Sequence, residues 1–183
     1  MLRLFFGLSL LLLTPVVAWA EVGQIESFSG QVRVLSAEGS AEAARVGLAI
    51  DIGDLVETGA GAKARIRLND DSVFAVSPNS SFEIDAFAFD PSGTDTHIMQ
   101  ASVLKGAFKF ATGKVGSGKK KRSISLMNAT VGIRGTQLIG INDEISEVIL
   151  LTGQIDVATA LGQQTLSLAN QAISIDAAGL LSE

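Results

Sequence analysis

The segment SGQVRV, residues 29–34, places a glycine in front of alternating apolar and polar side chains. The same arrangement returns as KGAFKF at residues 105–110 and as TGQIDV at residues 152–157. Alternation with a period of two predicts a β-strand with one buried face, and a glycine between two apolar runs lets the chain bend sharply. Each copy therefore predicts a strand–bend–strand arc or a hairpin. The copies are irregularly spaced, so a solenoid of fixed period is not predicted.

The remainder of the chain follows the same alternation. Ile66 and Leu68 alternate with Arg65 and Arg67, and short clusters of Gly, Asn, Asp and Ser interrupt the apolar runs throughout. Only residues 37–44 offer one or two turns of helix. The sequence therefore predicts a single all-β domain with many short strands. Both a solenoid-like twisted stack and a compact sandwich are consistent with this pattern.

The stretch from Phe82 to Phe89 changes its apolar face partway. Phe82 and Ile84 lie on one face of a strand, whereas Phe87 and Phe89 lie on the other. An extra residue in one strand reverses the alternation after it. We therefore expect a bulge or bend near Ala86.

The first twenty residues have the features of a cleavable signal peptide. Arg3 forms a short positive region, residues 4–17 are almost wholly apolar, and residues 18–20 read Ala-Trp-Ala, a small-x-small cleavage site. The apolar run is shorter than the roughly 20 residues that span a bilayer. We expect a signal peptide over residues 1–20, an exported domain over residues 21–183, and no membrane span after cleavage.

Composition excludes several classes of function. The chain has no cysteine and no tyrosine, and its single tryptophan, Trp19, lies in the predicted signal peptide. Disulfides and thiolate chemistry are therefore impossible. The formal net charge is −5, and losing Arg3 makes it one unit more negative. Nucleic-acid binding needs phosphate neutralisation and aromatic stacking, so the sequence predicts no nucleic-acid partner and disfavours sugar binding by stacking.

Residues 47–85 read GLAIDIGDLVETGAGAKARIRLNDDSVFAVSPNSSFEID, and this order of turns resembles the FecR domain family. The shared features are a Gly-Asp pair, a Thr-Gly turn, an alternating strand, an Asp-Gly-Ser-like turn and a Pro-Asn-Ser turn. The later Arg-Gly-Thr and the apolar run ending in a glycine are similar to the second half of the family. The resemblance covers about residues 22–176. Its motif residues are Gly53, Asp54, Thr58, Gly59, Asp71, Ser72, Pro78, Asn79, Ser80, Arg134, Gly135, Thr136 and Gly153.

The resemblance has two departures. Asp71 stands where the family usually has glycine, which affects the type of turn formed there. The iron-dicitrate sensor that names the family is a transmembrane anti-sigma regulator with a cytoplasmic N-terminal domain, and here a signal peptide replaces both features. The resemblance therefore implies a partner-binding module and does not imply signalling across the inner membrane by this chain alone. We interpret the motif residues as structural.

One basic segment nearly matches a phosphate-binding loop. Residues 113–120 read GKVGSGKK, but no Ser or Thr follows Lys119 and no strand-to-helix unit surrounds the segment, so nucleotide binding is not expected. We interpret the segment as the tip of a hairpin with a solvated basic cluster. A sharper hypothesis is that this cluster contacts an anionic partner. Its members are Lys119, Lys120, Lys121 and Arg122.

Neither a metal site nor a catalytic site is predicted. His97 is the only histidine, and it lies in a polar stretch without the thiols or second imidazole of a transition-metal shell, so we interpret it as exposed. Asp70, Asp71, Asp90 and Asp95 do not have the spacing of a calcium-binding EF-hand loop. No G-x-S-x-G motif presents a nucleophilic serine. We expect no enzymatic activity and no cofactor.

Arg134 lies among small and β-branched residues in the segment NATVGIRGTQ, residues 128–137. A buried guanidinium must find partners because burying an unpaired charge is costly. We therefore expect Arg134 to be a partly buried structural arginine that binds backbone carbonyls or a carboxylate such as Asp54 or Asp71. Gly135 would give the backbone room for it.

Together these observations predict a non-catalytic exported module that binds a macromolecular partner in the periplasm or at the cell surface, with a role in envelope signalling. A structural or adhesive scaffold in an envelope assembly is the main alternative, and a small-ligand sensor is a weaker one. The identity of the partner does not follow from the sequence.

Overall fold

The alternating segments form strands throughout the computed structural model, which describes residues 21–92, 96–114 and 120–182. These ranges contain fifteen strands and no helix. The strands are β1 (Gly23–Ser29), β2 (Val32–Leu35), β3 (Ala41–Ala43), β4 (Ala49–Ile50), β5 (Leu55–Thr58), β6 (Lys63–Leu68), β7 (Val73–Val76), β8 (Ser81–Ala88), β9 (His97–Ala111), β10 (Lys120–Ser125), β11 (Thr130–Asn142), β12 (Ser146–Ala158), β13 (Gln163–Leu166), β14 (Ala172–Ile175) and β15 (Leu181–Ser182). The predicted all-β single domain is confirmed, and the predicted signal peptide lies outside the described residues.

All fifteen strands belong to one continuous sheet, and its long strands exchange partners where a glycine bends them. Residues 98–105 of β9 pair with β8, whereas residues 106–111 pair with β11. Gly106 has a φ of 90°, a region that favours glycine, so the bend falls at this residue. The middle copy of the glycine unit is therefore a bend inside one strand.

β11 and β12 bend together in the same way. Residues 130–134 of β11 pair with residues 154–158 of β12, and the register shifts before residues 137–141 pair with residues 147–152. Gly135 and Gly153 lie at this irregularity with φ values of 63° and 89°. Both long strands thus pass between two halves of the sheet. One half contains β2, β5, β8, β10 and β13, and the other contains β1, β6, β7 and β14.

The halves of the sheet enclose one apolar core. Phe74 of β7 and Phe82 of β8 belong to different halves, and their ring centroids are 4.4 Å apart. Phe108 and Phe110 of β9 contact Phe74 from its own half. The buried apolar residues of both halves form a single cluster. The fold therefore combines both predicted arrangements, because arcs of chain are stacked as in a solenoid and their two arms pack face to face as in a sandwich.

Two local predictions have different outcomes. The expected bulge is confirmed, because the β8–β9 register shifts between Ile84 and Ala86. The expected helical turns in residues 37–44 are wrong: a turn there leads into β3, whose backbone pairs with β2. Pairing with a neighbouring strand satisfies the backbone groups that a short helix would leave at its ends. No helix in the described ranges has the length and apolar character needed to cross a membrane.

Candidate functional site

A buried ion pair joins β10 to the turn between β6 and β7. A guanidinium nitrogen of Arg122 lies 2.8 Å from an oxygen of Asp70, and the two side chains are only 3% and 2% exposed. Arg122 also donates to the carbonyl oxygen of Lys114 at 2.9 Å. Such a pair is stabilising only when further hydrogen bonds satisfy both groups. The Asp70 carboxylate has them, because it accepts from the amide and the hydroxyl of Ser72, each at 2.9 Å.

The segment after β9 closes over this ion pair. The Gly113 amide donates to the Ser72 hydroxyl at 3.0 Å, and the Lys114 amide donates to the Asp70 carbonyl at 2.6 Å. A Cβ on Gly113 would lie 2.1 Å from that carbonyl oxygen, so only glycine allows the approach. The Lys114 ammonium lies 2.8 Å from an Asp71 oxygen and lowers the pKa of the Asp71 carboxyl. The predicted Asp71–Ser72 turn is thus part of a polar clamp, which we call the Asp70–Arg122 clamp.

The clamp changes the interpretation of the basic cluster. Arg122 is buried, so its assignment as a solvated contact for an anionic partner is wrong. It follows Lys121 on β10 and shares its inward face with Ile124, and the carboxylate of Asp70 compensates its charge. Lys120 and Lys121 are exposed, and their contact with a partner stays a prediction. Lys119 lies outside the described residues.

Arg134 does not have the predicted environment. Its side chain is 70% exposed, and its guanidinium pairs with Asp156 of the adjacent strand at 3.1 Å. The expected burial and the expected partners, Asp54 or Asp71, are therefore wrong. The physical reason is alternation, because Val131 and Ile133 face the core and leave Arg134 on the outer face.

We expect Arg134→Ala to lower the free energy of unfolding by no more than about 1 kcal/mol, because exposed ion pairs contribute little. Chemical denaturation of the variant and the parent measures this difference. A loss several times larger would show that Arg134 has a structural role beyond its pair with Asp156.

The Gly53–Asp54 pair forms a tight turn, as its motif suggests. Gly53 has a φ of 85°, and the buried Asp54 carboxylate accepts from the Asp51 amide at 2.9 Å. Burial raises the pKa of Asp54, and the hydrogen bond from the Asp51 amide opposes that rise. In the Thr-Gly turn, Gly61 has a positive φ, of 69°, whereas Gly59 does not. The Gly59 amide donates to the Gln31 carbonyl at 2.8 Å.

The Thr-Gly turn and the Pro-Asn-Ser turn bind each other. The Thr58 hydroxyl donates to the Ser77 carbonyl at 2.6 Å and accepts from the Ser80 amide at 3.0 Å. The Ser80 hydroxyl accepts from the Ala107 amide at 3.1 Å, next to the bend in β9. Asn79 has a φ of 54°, as Asp71 does at 63°, and both residue types tolerate the left-handed region. These motif residues therefore connect consecutive arcs of the chain.

Three further motif residues meet where β11 and β12 bend. The buried Thr136 hydroxyl donates to the Gln154 carbonyl at 2.9 Å, and its amide donates to the Thr112 hydroxyl at 2.9 Å. Gly135 and Gly153 are in backbone contact. All three residues bind or contact backbone of the same bend.

His97 is buried, and its assignment as an exposed loop residue is wrong. It begins β9, where alternation places it on the inner face with Met99, and its ring lies 5.4 Å from that of Phe89. Across residues 21–92, 96–114 and 120–182, no three histidine or carboxylate side chains are close enough to hold a metal ion.

The half of the sheet that contains β1, β6 and β7 carries a groove of about 540 Å³ on its outer face, and the sequence analysis did not predict this groove. Its lining includes Ala75 and Ala107, whose side chains are small. Phe28 and Ile139 add larger apolar side chains to the lining. We call this feature the cationic groove, and its charged lining residues are Lys63, Arg65 and Lys109.

Among the described residues, the charge of the groove is only partly neutralised. Arg65 and Arg67 share one carboxylate, that of Glu26, and Arg67 Nε donates to it at 2.9 Å. Hydrogen bonds from Arg67 and then Arg65 lower the pKa of Glu26. In the part of the chain that the structure describes, Lys63 and Lys109 have no ion-pair partner. An acidic group is therefore attracted to a site that also offers apolar surface.

Pairing of distant strands creates the groove. Arg65 pairs with Ala75, Ala75 with Lys109, and Lys109 with Ile139, so these residues lie in one row across four strands. In the segments KARIRL and KGAFKF, cations alternate with core residues, and this pattern predicts that the cations face outward. Their meeting on one face depends on strand order, which the alternation does not contain.

The comparisons with known proteins agree with this all-β architecture. The family model described as FecR protein matches residues 54–175, and the chain belongs to this family. Two crystal structures from Parabacteroides distasonis ATCC 8503, at 1.65 Å and 2.50 Å, each described as a candidate anti-sigma factor, share the fold. They have 16% and 17% sequence identity and TM-scores of 0.55 and 0.56.

The match to the two crystal structures is partial. It covers 70% of this chain and 57% of each of those chains. The comparison with curated proteins gives no match.

Proposed function

We propose that this protein is a non-catalytic module of envelope signalling that binds an acidic segment of a protein partner through the cationic groove. Binding to the partner takes place in the periplasm or at the cell surface. Membership of the FecR family and the likeness to candidate anti-sigma factors support a signalling role. One observation supports the binding site. Lys63 and Lys109, which have no ion-pair partner among the described residues, lie beside apolar surface on a protein with a negative net charge.

The chemistry of the groove defines the partner segment. Lys63 and Lys109 attract carboxylates, while Phe28 and Ile139 favour an apolar side chain between them. Protein interfaces bury apolar surface at their centre and place polar and charged groups at their rim. Charges at the rim mainly raise the association rate and the specificity, so binding should weaken as salt is added.

A test uses a photoreactive phenylalanine analogue at Phe28, at the edge of the groove, in cells that produce the protein. We expect one envelope protein with an acidic surface segment to crosslink there. The double variant Lys63→Glu with Lys109→Glu should lower the crosslinked yield at least about 10-fold, because like charges then oppose each other.

The matched control is Lys120→Glu with Lys121→Glu, which changes the net charge equally at two exposed lysines outside the groove. Retention of the crosslink in this control supports the groove. Loss of the crosslink in the control alone would move the contact to the basic cluster at the start of β10. Equal retention in both double variants would refute the proposed binding site.

A further inference from the structure

A second groove lies where four segments of the chain meet, and it has a volume of about 860 Å³. The segments are the part of β9 before the Gly106 bend, the turn before β11, the turn between β11 and β12, and the turn after β14. Large apolar side chains in its lining are Leu104, Met127 and Ile145, which are 53%, 64% and 60% exposed. Exposed apolar side chains are ordinary when they are scattered, whereas a group of them in one groove marks an interaction site.

The groove also has a negative charge. Its lining contains the carboxylates of Asp143, Glu144 and Asp176 and one cation, Lys105. Among residues 21–92, 96–114 and 120–182, these three acidic side chains have no ion-pair partner. We call this feature the acidic groove. It shares no lining residue with the cationic groove, and its charge has the opposite sign.

Hydrogen bonds fix the backbone that carries the apolar side chains of the acidic groove. Asn142 is buried, and its amide nitrogen donates to the carbonyl oxygens of Val103 at 2.6 Å and Leu104 at 3.1 Å. Its amide oxygen accepts from the Met127 amide at 3.1 Å and from the Ser146 hydroxyl at 2.8 Å. One side chain thus joins three of the four segments that form the groove.

The fourth segment, the turn after β14, is fixed in the same way. The side-chain amide of Asn128 donates to the Ala177 carbonyl oxygen at 3.0 Å. The Asp176 carboxylate accepts from the backbone amides of Ala178 at 2.9 Å and Leu180 at 2.8 Å. A site that is ordered in advance loses less conformational entropy when a ligand binds. The walls of the acidic groove are therefore in place before any ligand binds.

We propose that the acidic groove binds a segment of a protein partner in which Lys or Arg residues flank a large apolar side chain. The apolar side chain of the partner is buried against Met127 and Ile145. The cations of the partner face Asp143 and Glu144, whose charge attracts them and selects against acidic segments. This site takes a segment of opposite charge to the one proposed for the cationic groove.

Charge and shape favour this occupant over two others. An anionic membrane surface attracts basic protein surfaces, so the carboxylates of the groove would repel it. A second copy of this chain has a formal net charge of −5, and the lysines of its cationic groove line a concave surface, which does not fill another groove. A basic segment with an apolar side chain supplies both the cations and the surface to be buried.

Fluorescence anisotropy with three labelled peptides tests this proposal on the purified protein at low salt. The first peptide combines lysines with leucines, the second has glutamate in place of every lysine, and the third has serine in place of every leucine. We expect the first peptide to bind at least about 10-fold more tightly than either of the others. Like charges oppose the second peptide, and the third has no large apolar side chain to bury.

Two variants locate the binding site of the lysine–leucine peptide. Asp143→Asn with Glu144→Gln should weaken its binding at least about 5-fold, because the attraction for its lysines is reduced. Ile145→Ser should weaken it at least about 10-fold, because less apolar surface is buried in the complex. Both changes replace exposed side chains, so the fold should be retained.

The matched controls lie outside the acidic groove. Glu38→Gln with Glu42→Gln removes the same charge at two exposed acids, and Val46→Ser changes an apolar residue that is 67% exposed. Both should bind the lysine–leucine peptide like the parent. No measurable binding of this peptide, equally tight binding of either other peptide, or an equal loss in the controls would each overturn the proposal. Self-association of the parent that Ile145→Ser abolishes would also overturn it, because a second copy would then occupy the groove.

Discussion

Arg122→Ala is expected to lower the free energy of unfolding by about 3–5 kcal/mol, since it leaves the Asp70 carboxylate buried without a countercharge. The Asp70 side chain is only 2% exposed, so its charge is shielded from bulk water. The same change also removes the hydrogen bond to the Lys114 carbonyl. Equilibrium denaturation with urea measures the loss.

Asp70→Ala should destabilise the protein by a similar amount, because it isolates the guanidinium and removes the acceptor for the Ser72 amide and hydroxyl. Replacing both charged residues with apolar ones, as in Asp70→Leu with Arg122→Met, should cost less than the sum of the two alanine variants. The surface change Arg134→Ala is the control. If Arg122→Ala unfolds at the same urea concentration as the parent, the clamp does not stabilise the fold.

Gly153→Ala is expected to cost about 3 kcal/mol or more, because it combines strain in the left-handed region with a clash. Gly153 has a φ of 89°, which side chains rarely adopt. A Cβ there would lie 2.1 Å from the Gly135 carbonyl oxygen, and that oxygen belongs to the backbone of the adjacent bend. Relief therefore requires β11 and β12 to separate where Thr136 binds Gln154.

Gly162→Ala is the matched control for this prediction. Gly162 lies in the next turn, has no atom within 4 Å of an added Cβ, and does not adopt a positive φ. Its replacement should leave stability within about 1 kcal/mol of the parent, or raise it slightly by restricting the unfolded chain. Thermal and urea denaturation of both variants measure the difference. Equal stability of the two variants would mean that the bend tolerates a side chain.

The contrast between Arg122 and Arg134 shows how far alternation can predict a side chain's environment. Ile124 is a core residue two positions after Arg122, and a period of two places both on the inner face. Ile133 precedes Arg134 by one position and faces the core, so Arg134 faces outward. Strict use of the period would have distinguished the two arginines. The basic neighbours of Arg122 suggested a solvated cluster and concealed this signal.

The family motifs have contacts that explain their order in the chain. Thr58 and Ser80 bind each other, Ser72 supports the buried carboxylate of Asp70, and Thr136 binds the bend of the adjacent strand. Each motif thus joins one strand or turn to another strand or turn that packs against it. The motifs recognised in sequence are connections within the fold, whereas the proposed partner-binding groove lies on the outer face of the sheet.

By itself, the sequence determined the all-β class, the glycine bends and the family, because each follows from local properties: the period-two alternation, the conformational freedom of glycine and the order of turns. Only the tertiary structure decided which charges are buried and where a groove forms. Asp70 and Arg122 are 52 residues apart in the chain. Their pairing, like the row that brings Arg65 to Lys109, depends on strand order and register, and many strand orders satisfy the same local pattern.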